Sequence, residues 1–215
     1  HPSSMGAFMR LRFVLGFVFL VLAPFSAQAD DSPGDIATSF QDSLIQVMKD
    51  AKALGVRGRY EKLAPVVERT FHLPTMTHMA IGGAAVWDGA TLEQRKDLVR
   101  AFRRMSVSTL ATFFDGYGGE TFKIVGERDG PQNTRVVETQ LVKTDKSTND
   151  IAYIARKVGN RWYLIDVIVD RGISEVSVRR SEYSRILQDR GVDGLVAVLN
   201  GKADELLTTK AAVSQ

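Results

Sequence analysis

Apolar residues recur at helical spacing through the first half of the chain. Between residues 36 and 54 they fall every three or four positions, which predicts a helix capped by Ser32 and ended by Gly55. The same spacing predicts a second helix over residues 59–71. Pro65 is expected to kink or restart that helix, because proline removes a helical hydrogen bond.

Two further helices are expected before residue 116. One runs over residues 75–86, where the Gly82–Gly83 pair favours close packing over a ligand cradle. The other begins at Thr91, since Thr91 and Gln94 form the pattern of a capping box, and continues to about Asp115. Its basic residues are expected to face water, with a docking patch as the alternative: Arg100, Arg103 and Arg104.

The middle of the chain changes to strand patterning, followed by a helical tail. Four strands are expected, over residues 121–128, 135–143, 151–158 and 161–169. Gly159–Asn160 is typical of a two-residue hairpin turn. Helices are predicted over residues 181–190 and 192–207. This order predicts an α+β fold, with an antiparallel sheet of about four strands packed by N-terminal and C-terminal helices.

The first 29 residues have the pattern of a secretory signal. Arg10 and Arg12 precede an apolar run over residues 13–23, and small residues at Ala27 and Ala29 suit a cleavage site. We expect a tag remnant and cleavable signal peptide over residues 1–29, and a single domain over residues 30–215. An uncut membrane anchor is the alternative.

The composition of the chain excludes several classes of binding site and catalytic group. The 215 residues carry a formal net charge of +3, and removal of the two arginines of the signal leaves about +1, which argues against nucleic-acid binding. The chain has no cysteine, which excludes disulfides, a thiolate nucleophile and zinc–sulfur sites.

Hardly any polar residue of the chain is a good candidate for a catalytic role. His72 and His78 are six positions apart, a spacing that does not favour a shared metal site on one helix, and no metal is expected. Asp166 lies in an apolar strand, where it could serve as a general base with a raised pKa. The alternative is a structural carboxylate bonded to an arginine or to backbone amides.

Bulky apolar side chains are the remaining candidates for function. A sheet flanked by helices can leave a gap that accepts a lipid tail. The candidate lipid-binding residues are Met79, Phe102, Leu110, Phe113, Phe114, Tyr117, Val137, Leu141, Tyr153, Ile154, Trp162 and Leu164.

Several blocks resemble the MlaC, or toluene-tolerance auxiliary, family of periplasmic lipid-binding proteins. They are Ala90–Arg95, Ala101–Arg103, Phe114–Phe122, Trp162–Val167, Gly172–Ser174 and Arg190–Leu195, in an order that spans most of residues 90–199. Shorter motifs in the front half are similar to the hopanoid-associated branch, HpnM: Ala51–Gly55, Gly58–Tyr60, Thr70–Met76 and Val86–Trp87.

The resemblance implies that the sheet is curved and packed by the helices around an apolar cavity, and that residues 30–215 form a single lipid-binding domain. It also implies a soluble periplasmic carrier, without catalytic residues or cofactors, that moves phospholipid or hopanoid between membrane-bound transport complexes. We expect a monomer. Two rivals stay open: an exported α+β enzyme using Asp166, and an adaptor whose basic helix face docks a partner around a solid core.

Overall fold

The computed structural model describes residues 31–213, with side chains described to residue 208. The predicted signal peptide lies outside the described residues. Six helices and five strands follow in the order α1 (Pro33–Lys49), α2 (Ala51–Thr70), α3 (Leu73–Ala80), α4 (Ala84–Trp87), α5 (Leu92–Phe113), β1 (Thr121–Asp129), β2 (Thr134–Val142), β3 (Thr148–Val158), β4 (Arg161–Val169), β5 (Ile173–Ser174) and α6 (Glu175–Val213). The predicted α+β class is confirmed.

The sheet is an antiparallel meander in which each strand pairs with the next along the chain. The short β5 extends the four expected strands to five. Register shifts occur between Ile124 and Gly126 and between Ile154 and Ala155. Such bulges bend and twist a strand, which suits the curved, open sheet.

Helix starts follow the sequence closely. Ser32 and Thr91 each form a capping box, in which the hydroxyl accepts from a backbone N–H while the side chain three residues on accepts from the cap backbone. These bonds satisfy amides that the first helical turn leaves without partners. The starts of α1 and α5 are therefore local properties of the sequence.

Helix interruptions depart from the sequence prediction. The first helix ends at Lys49, and Gly55 instead breaks α2, with φ of 64°. Pro65 lies inside α2, where the residue with non-helical dihedral angles is Gly55, so Pro65 does not restart the helix.

The expected helix over residues 75–86 is divided in two by Gly82 and Gly83. Their φ angles are 99° and 79°, a region that L side chains rarely adopt, and no atom would approach a Cβ on Gly82 within 4 Å. The pair serves the turn between α3 and α4, so its prediction as a packing device is wrong. The tail helix also begins earlier than expected, at Glu175, and bends at Gly191.

The helices form two kinds of contact. α5 packs against α2 and α6, while α1 lies against the sheet. The resulting core is continuous from α1 through the sheet to α6. No helix among residues 31–213 is both long and apolar enough to cross a membrane.

Candidate functional site

A cavity of about 880 Å³ lies between the inner face of the sheet and the helices. Alternate strand residues supply one wall, because successive side chains point to opposite faces of a strand. Leu141 is paired with Phe122, and Tyr153 with Val167, and all four line the cavity.

The helical walls come from three parts of the chain. α1 contributes Phe40, Leu44 and Met48, one residue per helical turn. α5 contributes a stripe at spacings of three and four: Phe102, Ser106, Thr109, Leu110 and Phe113. The segment around α3 contributes Phe71, Leu73 and Met76. The deep part of the cavity is therefore lined mainly by hydrocarbon and aromatic rings.

A buried polar cluster meets the cavity wall at Tyr153. The Gln41 amide donates to Thr139 Oγ1 and to the Tyr153 hydroxyl, each at 3.0 Å, and Thr139 Oγ1 donates to the Ile151 carbonyl at 2.7 Å. Burial raises the pKa of Tyr153 to about 12, although the bond from Gln41 acts in the opposite direction. The phenol stays neutral at physiological pH and offers hydrogen bonding without charge.

The mouth of the cavity is charged. Its lining includes Asp115, Glu120, Lys143, Asp150, Asp170, Glu175 and Arg179. Phe113 stands beside them with 75% of its surface exposed, and its ring packs edge-on to Phe114 with centroids 5.1 Å apart. An apolar interior with a charged rim matches the polarity of an amphiphile, which has an apolar tail and a polar end.

The structure places half of the twelve candidate residues along this cavity. They are Phe102, Leu110, Phe113, Phe114, Leu141 and Tyr153. Val137 and Leu164 are fully buried in the solid core, and Phe71 bridges to Leu164 at the edge of β4. The remaining four line no part of the cavity.

Those four have other surroundings. Met79, Ile154 and Trp162 pack against the core, half-buried. Tyr117 is exposed outside the mouth, where its hydroxyl donates to the Glu120 carbonyl and Lys49 Nζ lies 5.5 Å from its ring centroid.

Sequence reasoning missed several cavity residues for which a signal existed. Tyr153 and Ile154 are adjacent, so only one can point inward. Extending the alternation from Tyr153 would have found Ile151, and the register then leads to Val167 and Val169. Phe40 and Met48 carry no such signal, because helical spacing alone does not distinguish a cavity wall from core.

Asp166 has a structural role. Its carboxylate accepts from the backbone N–H of Val167 at 2.8 Å, from the Ser174 hydroxyl at 2.5 Å and from the Val176 N–H at 3.1 Å. Ser174 Oγ in turn accepts from Ser177 N at the start of α6. The carboxylate thus holds β4 to the first turn of α6 and is not part of the cavity lining.

The histidines also act locally. His72 Nδ1 lies 2.6 Å from Thr75 Oγ1 and accepts from the Thr75 N–H, which caps α3, and burial lowers the pKa of His72. His78 packs against the Trp87 ring. Within residues 31–208 no three potential metal ligands of the histidine or carboxylate type come together.

The basic residues of α5 are paired within the molecule. Arg103 Nε lies 2.9 Å from Glu68 of α2, Arg104 lies 2.6 Å from Asp204 of α6, and Arg100 pairs with Asp97 on α5 itself. Of these three arginines, Arg100 alone is exposed, which is the position that the sequence predicted for all of them. Arg103 and Arg104 connect neighbouring helices, so the expected continuous wet face is wrong.

Two comparisons with known proteins bear on this geometry. Residues 38–201 match the family model described as MlaC protein. The fold is similar to that of a phospholipid-binding protein from Ralstonia solanacearum, solved in complex with a phospholipid. That match has a TM-score of 0.71 and 18% identity, and covers 82% of this chain and 99% of the other.

Proposed function

The chain belongs to the MlaC family, and on that premise we propose that it is a lipid carrier that encloses hydrocarbon between its sheet and its helices. The observation that supports the proposal is the cavity of about 880 Å³, apolar at depth and charged at its mouth. This volume lies at the upper end of the range typical of small-molecule sites, about 300–1,000 Å³.

Physical chemistry explains why a carrier needs such a cavity. Each methylene removed from water contributes about 0.8 kcal/mol, so a tail of about 16 carbons strongly disfavours an aqueous crossing. A protein that matches the apolar environment of a membrane removes that barrier. It must not bind far more tightly than the membrane, or the lipid would not be released.

We propose a phospholipid as the ligand class, because the similar Ralstonia protein was solved with one. A hopanoid is the finer alternative that follows from the HpnM-like motifs. We further propose export to the periplasm after cleavage of residues 1–29. There a single monomeric domain over residues 30–215 would exchange lipid with membrane-bound transport complexes.

The proposed lipid contacts follow the cavity. Of the twelve sequence candidates we propose only Phe102, Leu110, Phe113, Phe114, Leu141 and Tyr153 as ligand-contacting residues. Phe40, Phe122 and Ile151 join them, since they line the same walls.

A cavity-filling variant tests this function. Ser106 lines the cavity on α5, so Ser106→Trp is expected to occupy space that a tail would use. The matched control is Ser181→Trp on the exposed surface of α6. Both proteins are purified without detergent, incubated with phospholipid vesicles, re-isolated and analysed by solvent extraction and mass spectrometry.

We expect bound lipid to fall at least about fivefold in Ser106→Trp and to stay at the wild-type level in Ser181→Trp, because steric filling removes apolar contact area. Thermal unfolding confirms that both variants are folded. Wild-type protein that acquires no lipid from any vesicle would contradict the proposed function.

A further inference from the structure

Charged residues gather at one end of the sheet because of its topology. In an antiparallel meander, the start of β1, the end of β2, the start of β3 and the end of β4 lie at the same end. The register shows this directly, since Thr121 is paired with Val142, Val142 with Thr148 and Ile151 with Val169. Charges that flank these strand ends therefore surround a single opening.

The opening carries more negative than positive charge. Its lining includes five carboxylates, from Asp115, Glu120, Asp150, Asp170 and Glu175, and two cations, from Lys143 and Arg179. The formal charge of this rim is thus −3. The chain outside the signal is nearly neutral, so the negative charge is a local feature.

Both cations of the rim already interact with carboxylates outside it. Arg179 Nη1 lies 3.2 Å from Glu182 Oε2, and Lys143 has a favourable electrostatic interaction with Asp145. Their charge is partly compensated before any ligand arrives. They are therefore weak candidates for holding an anionic headgroup.

Four of the carboxylates lack such compensation. Across residues 31–208, no basic side chain lies within 4.0 Å of the carboxylates of Glu120, Asp150, Asp170 or Glu175. The Gln140 amide donates to Asp150 Oδ1 at 3.1 Å and the Gly118 backbone N–H donates to Glu120 at 2.8 Å, but both donors are neutral. Asp115, by contrast, interacts electrostatically with Arg59. The rim thus presents uncompensated negative charge where the polar end of an amphiphile would sit.

We infer that the mouth selects lipids whose headgroup carries an ammonium group over lipids with a net anionic headgroup. This inference rests on the proposed function and adds a headgroup preference to it. An ammonium group gains attraction from the rim, while an uncompensated anion is repelled. The apolar interior accepts the same tails in both cases.

Competition within one vesicle isolates the headgroup. Vesicles contain equal amounts of phosphatidylethanolamine and phosphatidylglycerol with identical acyl chains, so docking to the membrane is common to both lipids. The re-isolated protein is extracted, and the ratio of the two lipids is measured by mass spectrometry. We expect about a fivefold excess of phosphatidylethanolamine at low salt, which decreases at 1 M salt as screening shortens the range of the interaction.

A charge-neutral double variant connects the preference to the rim. Asp170 has φ of 49°, a conformation that asparagine also tolerates, so Asp170→Asn keeps the backbone, and Glu175→Gln keeps the side-chain shape. Together they are expected to reduce the excess to about twofold. The control carries the same two changes at exposed sites on α6, Asp189→Asn and Glu205→Gln, and is expected to keep the wild-type ratio.

The outcomes separate this inference from the function on which it rests. Equal loading of the two lipids, an excess of phosphatidylglycerol, or an equal effect of the control would overturn the headgroup preference and leave the carrier intact. Protein that takes up neither lipid would overturn both.

Discussion

The two faces of α5 are both apolar, yet one is sealed and the other borders empty space. Val107 and Ala111 are fully buried on the side that α2 and α6 cover, and Leu98 is fully buried nearer the start of the helix. Phe102, Ser106 and Leu110 line the cavity on the side toward the sheet. The same helix therefore supplies solid core and ligand wall.

Side-chain size and neighbouring polar bonds explain the difference. On the sealed face, small residues such as Ala101 and Ala111 let backbones approach, and Arg59 of α2 donates from Nε to the Ala111 carbonyl at 2.7 Å. Burial lowers the pKa of Arg59, with partial compensation from Asp115, yet the guanidinium remains charged. On the other face the cavity separates α5 from the sheet, so large side chains border a gap.

The largest expected effect is a difference in stability loss between a residue of the solid core and a residue of the cavity wall. Leu98→Ala creates a cavity in close-packed core and is expected to lower the free energy of unfolding by about 3 kcal/mol. Leu110→Ala enlarges a space that already exists and is expected to cost only about 1 kcal/mol. Urea denaturation followed by circular dichroism measures both variants. Similar losses would show that the cavity closes in solution.

A smaller effect tests whether the hydrogen bonds that hold the start of α6 contribute to stability without contributing to lipid binding. Asp166→Ala removes three hydrogen bonds to a carboxylate and is expected to cost about 2 kcal/mol, because Ser174 and the Val176 amide lose their acceptor. Asp166→Asn keeps one acceptor oxygen and is expected to cost less. Lipid content should not change in either variant. Its loss in the folded Asn variant would place Asp166 in the binding machinery.

A third comparison sets a tyrosine of the cavity against a tyrosine of the core. Burial raises the pKa of both Tyr153 and Tyr183 to about 12. The unfolded chain releases these protons near pH 10, whereas the folded chain keeps them until the pH approaches 12. The contribution of the two tyrosines to the free energy of unfolding is therefore complete below pH 10 and falls as the pH rises toward 12. Each tyrosine is expected to contribute a slope of about 1.4 kcal/mol per pH unit.

Single phenylalanine variants assign that slope. Tyr153→Phe and Tyr183→Phe should each remove one proton from the pH dependence of the unfolding free energy, measured by denaturation between pH 9.5 and 11.5, roughly the window between the two pKa values. If only Tyr183→Phe flattens the curve, water reaches the Tyr153 phenol through the cavity. The cavity would then extend further into the core than it does in the structure.

Much of the fold follows from local sequence. Thr91 and Gln94 determine where α5 starts, and the Gly159–Asn160 turn determines where β3 and β4 separate. Such features involve residues within a few positions of each other, so one sequence is enough to identify them. The breaks at Asp50 and at Gly82–Gly83 were misplaced or missed, because the helical spacing of apolar residues continues across them.

The cavity was predictable only in part. Phe102 and Leu141 line the gap between the layers, but Val137 and Leu164 have the same apolar character and fill solid core. Apolar patterning tells which side chains avoid water. It carries no information on whether another side chain reaches them.

The sequence by itself determined the order of helices and strands and the antiparallel meander. Only the tertiary structure decided that the space between α5 and the sheet stays open and that Asp166 holds α6 instead of facing the cavity. The reason is physical. Secondary structure depends on neighbours along the chain, whereas the distance between two layers depends on every side chain that meets between them.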